Sequence, residues 1–151
     1  MATPKLGLKM VLSGSTKAMR QLTMAKKEVK NTKPLWDKAI IIMEMSETKT
    51  FRAQGRPKWA GLKHRDGKIL QKNNYMMQSV TAKTSDSIRE RGKTTLKFGT
   101  KLPQAPTHQY GFPKRNIPER KFLAVYDEDI KRMEKEFAND LNHRLEVVTS
   151  G

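Results

Sequence analysis

Cysteine is absent from the 151 residues, which excludes disulfide scaffolds, thiolate zinc sites, iron–sulfur clusters and cysteine nucleophiles. Long apolar runs are missing as well: the longest, Ala39 to Met43, is far too short to cross a bilayer, and the N-terminal residues lack the extended apolar stretch of a signal peptide. These two absences predict a soluble protein kept inside a cell, with no membrane partner. Hydrophobic residues make up 36% and aromatics 7%, so the chain can bury one lean core, and association with other subunits would help to stabilise it. Acidic residues are scarce: 15 Asp and Glu stand against 31 Lys and Arg, a formal charge of +16.

That charge is unevenly spread. Residues 127–151 hold 7 acids and 4 bases, whereas everything before them is strongly basic. A basic body with an acidic end suits head-to-tail contact between copies, or an acidic face turned away from a polyanion. The plainer alternative is that the charge only maintains solubility.

Residues 1–14, with Pro4, Gly7 and Gly14 among apolar side chains, read as an N-terminal arm or a short amphipathic piece, and residues 15–151 as a single domain. Ser15 can cap a first helix in which Ala18, Leu22, Ala25 and Val29 form one narrow stripe. Pro34 and Asp37 suit the opening turn of a second helix, running to about Thr50, whose face Trp36, Ala39, Ile40 and Met43 is widened by Ile41 and Ile42. Gly55 and Pro57 end that pattern, and Phe51, Trp59 and Leu62 anchor a polar loop.

Ile69 to Val80 can form a short helix before Val80, Ala82 and Thr84 begin to alternate as a strand. Ile88 to Glu90, a reversal at Arg91-Gly92-Lys93, and Leu96 and Phe98 alternating with Thr95 and Lys97 complete a small antiparallel sheet. Four prolines between Lys101 and Arg120 exclude a long helix or a central strand there, yet Tyr110, Phe112 and Ile117 need to be held out of water. The last segment is a helix with Asp127 as cap, acids in its first turn, and Ile130, Met133, Phe137, Leu141 and Leu145 on one stripe. The fold class is therefore α+β: two N-terminal helices, a small antiparallel sheet with a hairpin, and a long C-terminal helix packed across it.

Chemistry is hard to place on this chain. His64, His108 and His143 lie apart, none with a second ligand at helical spacing, and there is no phosphate loop, nucleophile elbow or HExxH. Asp127, Glu128 and Asp129 have a dipole role that competes with metal binding. No catalytic residue, metal or cofactor is expected. Finger, RRM and KH signatures are missing too, so contact with DNA would go through phosphates and be blind to sequence.

The segment from Thr107 to Ile130, THQYGFPKRNIPERKFLAVYDEDI, resembles the bacteriophage virion-morphogenesis or tail-completion family of contractile-tailed phages, the tail-terminator and neck proteins. The matching residues are Gly99, then His108, Gln109 and Gly111, then Ile117, Pro118, Arg120, Phe122 and Leu123, with Phe51, Pro57, Trp59 and Leu62 similar to the family's aromatic-anchored loop. The chain departs from the pattern where Ala105 and Pro106 replace Tyr-Ala, and at Glu119 and Lys121.

The resemblance implies a structural protein forming a homo-oligomeric ring, a hexamer by analogy, at the head–tail junction of the virion. Such a ring caps tail tube and sheath, meets neck and head-completion proteins, and lets genomic DNA pass with transient, nonspecific contact. On that reading Pro118 stiffens the connector, Arg120 pairs bidentately with a carboxylate of this or a neighbouring subunit, and His108-Gln109 is a hydrogen-bonded hinge. Arg89, Arg91 and Lys93 in the hairpin, and Lys114 and Arg115 in the loop, are candidates for contact with DNA in the lumen or with a neighbour. The competing reading is a basic, sequence-nonspecific nucleic-acid-binding protein.

Overall fold

The computed structural model describes residues 6–11, 32–63, 65–93 and 95–149, so the helix expected from Ser15 lies outside the described residues. The elements in chain order are β1 (Leu6–Val11), α1 (Lys33–Arg52), α2 (Tyr75–Thr81), β2 (Ser87–Arg91), β3 (Thr95–Thr100), α3 (Ala105–Tyr110), a 3-10 turn (Pro113–Arg115) and α4 (Asp127–Thr149). The protein is α+β, with four α-helices and one three-stranded antiparallel sheet among the described residues.

The sheet runs β1-β3-β2, with Leu6 opposite Thr100 on one side of β3 and Ser87 opposite Thr100 on the other. The expected alternation along β3 is present: Leu96 and Phe98 are fully buried and Lys97 is exposed. Residues expected in an arm thus include an edge strand, Leu6–Val11, and the third strand comes from there and not from Val80–Thr84. Met76 and Val80 sit four apart on the buried face of α2, within the short helix expected from Ile69 to Val80, and no strand follows at Ala82 and Thr84. Gly99 permits the close approach of β1, since a Cβ there would collide with the Leu6 carbonyl.

Helix α1 is the centre of the core. Leu35, Trp36, Ala39, Ile40, Ile42, Met43 and Phe51 are all buried, while Ile41 is 56% exposed and does not widen the face as expected. Thr32 does not cap α1 with its side chain; its hydroxyl donates to the Lys93 carbonyl (2.9 Å), and Trp36 Nε1 donates to that of Gly92 (2.8 Å). These two bonds tie the start of α1 to the β2–β3 reversal.

Helix α4 lies along α1 rather than across the sheet. Phe137 meets Trp36 edge-on at 6.2 Å, and Lys38 reaches Glu136 and Asp140. Of the stripe expected on α4, Met133 and Phe137 are buried and Ile130 is exposed. Capping is shifted by one residue: the Tyr126 carbonyl accepts from Asp129 and Ile130 N–H, and Asp129 Oδ2 accepts from the Tyr126 N–H (3.0 Å), the half of a capping box supplied by the third helical position.

Candidate functional site

The connector between β3 and α4 carries the motif residues. Pro106 occupies the first turn of α3, where a missing N–H costs nothing, and Gly111 ends it at φ +78°, with no room for a Cβ beside Glu119 N. Phe112 and Ile117 then exchange two backbone hydrogen bonds (2.8 and 3.1 Å) across the tip formed by Pro113 to Asn116.

Gln109 is the brace of this connector. Its buried amide donates to the Leu123 carbonyl (2.7 Å) and accepts from the N–H groups of Phe122 and Leu123 (3.1 Å each). The returning strand of the connector, having no sheet partner, finds its backbone partners on this side chain. The Arg120 N–H donates to the His108 carbonyl (2.8 Å), which closes the hinge. Phe122 and Leu123 are fully buried, Phe122 against Phe51, which in turn meets Trp59 edge-on. Trp59 Nε1 donates to the Lys121 carbonyl, so the aromatic-anchored loop and the connector form one body.

Among the described residues Arg120 pairs with no carboxylate. Its Nε and Nη2 donate to the carbonyls of Ala60 and Gly61 (3.0 Å each), fastening the upstream loop. Burial, and then nearby Arg65, lower its pKa; burial, and then Arg120, lower that of His108, which is neutral near pH 7 with Nδ1 lacking a hydrogen-bond partner.

The five basic candidates separate. Arg89, with only 3% of its side chain exposed, pairs with Glu44 (3.2 Å), lies 3.8 Å over the Phe98 ring and donates to the carbonyls of Ile88, Gly99, Ser79 and Ala82. It is a buried hub joining α1, α2 and the sheet, with its guanidinium engaged inside the chain. Arg91 pairs with Asp37 at 2.6 Å. Lys93, Lys114 and Arg115 are exposed, the last two on the connector tip. Tyr110 (69% exposed) and Phe112 stand beside them and are not held out of water as expected.

Sequence reading passed over a second cluster, at the start of α4. Arg56 donates to Glu128 (2.7 Å), to the Ser46 hydroxyl and carbonyl, and to Thr50, and stacks 4.0 Å over Tyr126. Lys49 also reaches Glu128, lowering its pKa, and Ser46 donates to Asp129 (2.7 Å). Glu128 and Asp129 therefore fasten α4 to α1 and to Arg56, in addition to meeting the helix dipole. Glu47, fully buried, accepts from the Ala124 N–H, and burial pushes its carboxyl up to about 8. The signal was available: Ile40, Met43, Glu47 and Thr50 recur at spacings of three and four.

Among the described residues no group of three or more His, Asp or Glu side chains could hold a metal ion, and no helix is long and apolar enough to cross a membrane. The fold and the braced connector define a small α+β protein in which Gln109, Arg120, Phe122 and Leu123 serve as internal scaffold.

Residues 14–142 match the phage virion morphogenesis family, and the chain belongs to that family. The match reaches well upstream of the connector motif. The chain is also similar to Mu-like prophage FluMu G protein 2 of Haemophilus influenzae, 30% identical over 119 residues that cover 76% of this chain and 79% of that protein. No solved structure matches the chain. Family membership makes it a virion-associated protein of phage assembly.

Proposed function

We propose that this protein is a tail-completion, or tail-terminator, subunit acting without catalysis. It forms a homo-oligomeric ring, hexameric by analogy, at the head–tail junction, capping tail tube and sheath and offering a docking surface to neck and head-completion proteins. Genomic DNA passes through the ring with transient, nonspecific contact. The observation that carries the reading is the connector: its motif is locked inside the subunit by Gln109 and Arg120, while its tip presents Tyr110, Phe112, Lys114 and Arg115 to the outside. A rigid base under an exposed aromatic and basic tip suits a contact surface between proteins. The similarity to a prophage protein supports the phage setting.

Electron microscopy of particles made without this protein tests the reading. Filled heads with separate tails of irregular length or unstable ends are expected; normal infectious virions would refute it. The charge of +16 favours a second reading, a nonspecific nucleic-acid-binding protein. Light scattering separates the two, because a monomer or dimer that binds duplex tightly fits only the second.

A further inference from the structure

A cleft with no acidic side chain in its lining among the described residues runs beside the base of the connector. Arg65, Arg120, His108 and Leu62 are shared by its two adjoining halves; Lys63, Arg115 and the apolar Ile117 line one and Lys72 the other. Arg120 is only 7% exposed, and among the described residues no carboxylate pairs with it. Two backbone carbonyls use two of its five N–H groups. Arg65, likewise, is bonded among the described residues to the carbonyls of Asp66 and Lys68. Cations this sheltered and this close together repel one another, and a carboxylate from outside the chain would relieve that repulsion.

The same chain carries a surface of opposite character. Asp127, Ile130 and Glu134, at spacings of three and four, share one face of α4. Asp127 is exposed and Ile130 is 44% exposed, the latter on a helix whose Met133 and Phe137 already meet the core. Over about 10 Å of helix this stripe alternates acid, apolar, acid, with Lys131 at its edge, and its two carboxylates and Ile130 match a basic cleft with apolar walls. A duplex fits less well. Its convex phosphate backbone cannot reach a guanidinium buried at a cleft floor, and it gains nothing from Leu62 and Ile117.

We infer that the cleft seats the Asp127–Ile130–Glu134 face of α4 from a second copy, so that each copy gives its helix to one neighbour and its cleft to the other. This head-to-tail contact between different surfaces is the kind that closes into rings. The inference rests on the proposed ring and names the contact that would build it.

Charge exchange tests it. Lys63→Glu/Arg115→Glu acidifies the cleft rim at two exposed side chains that do not brace the fold, and Asp127→Lys/Glu134→Lys reverses the helix face. Each double variant is expected to weaken self-association about tenfold in sedimentation, with circular dichroism unchanged. Lys83→Glu/Lys101→Glu, an equal charge change elsewhere, leaves association as it was. An equimolar mixture of the first two variants restores assembly, because acidified clefts then receive basic helices and basic clefts receive acidic ones.

Failure of the mixture to restore assembly overturns the inference. So does loss by the cleft variant alone, which points to a different surface of the second copy as occupant; so does reduced duplex binding with association intact, which points to DNA. Wild-type protein that stays monomeric at millimolar concentration also overturns it. Rings that survive both variants in micrographs remove this contact while leaving tail completion standing; normal virions without the protein remove tail completion itself.

Discussion

Replacing Gln109 by Ala should be among the most damaging single changes in this protein that leave charge untouched. The side chain is 5% exposed and makes three hydrogen bonds to the backbone of Phe122 and Leu123. Its removal orphans two N–H groups and one carbonyl beside two side chains that are themselves buried. Leaving a buried polar group unsatisfied costs about 1–3 kcal/mol each. Water entering the vacated space recovers part of that, so a net loss of about 3 kcal/mol is expected.

Against a total stability of about 5–15 kcal/mol for a domain, the variant folds but is visibly weakened. With a urea m-value of about 2 kcal/mol/M, the midpoint should fall by about 1.5 M at unchanged m. Tryptophan emission can follow the transition, because Trp59 is bonded to the Lys121 carbonyl next to the affected backbone. Gln109→Glu keeps the acceptor for both N–H groups, and only its protonated form can donate to the Leu123 carbonyl, so acid should partly restore its stability. A Gln109→Ala midpoint within about 0.3 M of wild type, equivalent to under about 0.6 kcal/mol, would refute the bracing role.

Arg89→Ala should cost about 3–5 kcal/mol in thermal or urea unfolding, because it leaves Glu44 without its partner and strands several carbonyls; altered duplex binding with unchanged stability would instead return Arg89 to the surface. Glu47 has a folded-state pKa raised to about 8, so the unfolded chain loses that proton first, and stability falls as pH rises from about 4.5 towards 8 and then levels. Glu47→Gln keeps the acceptor for the Ala124 N–H and should flatten that slope in urea midpoints measured across this range; equal slopes would contradict it. Gly99→Ala drives a Cβ into the Leu6 carbonyl, so hydrogen exchange should rise at the β1–β3 ladder while the β2–β3 ladder stays protected.

Much of the fold was legible in the chain because it is specified by neighbours within one or two turns. The period of Trp36, Ala39, Ile40 and Met43, with Pro34 ahead of them, marks α1 within two residues at either end. Alternation at Leu96 and Phe98 marks β3, and the acids before Met133 and Phe137 mark the start of α4. The candidate site was legible as a motif, and Gln109 has the hinge bonds expected of it. The internal role of Arg120 was not: a carboxylate of this or a neighbouring subunit was expected, and within the described residues Arg120 holds the carbonyls of Ala60 and Gly61. Their sequence distance of about sixty positions leaves no local trace.

By itself, then, the sequence determined the α+β class, the placement of α1, β2, β3 and α4, the basic body with its acidic end, and the family. Tertiary structure alone decided that Leu6–Val11 is the third strand, that α4 lies on α1, that Arg89 is enclosed while Arg115 is exposed at a tip, and that Arg120 and Arg65 border one cleft. The physical reason is range. Periodicity and capping arise from groups a few residues apart, whereas strand pairing, burial of a guanidinium and the sharing of a cleft depend on segments that meet only when the whole chain has closed around α1.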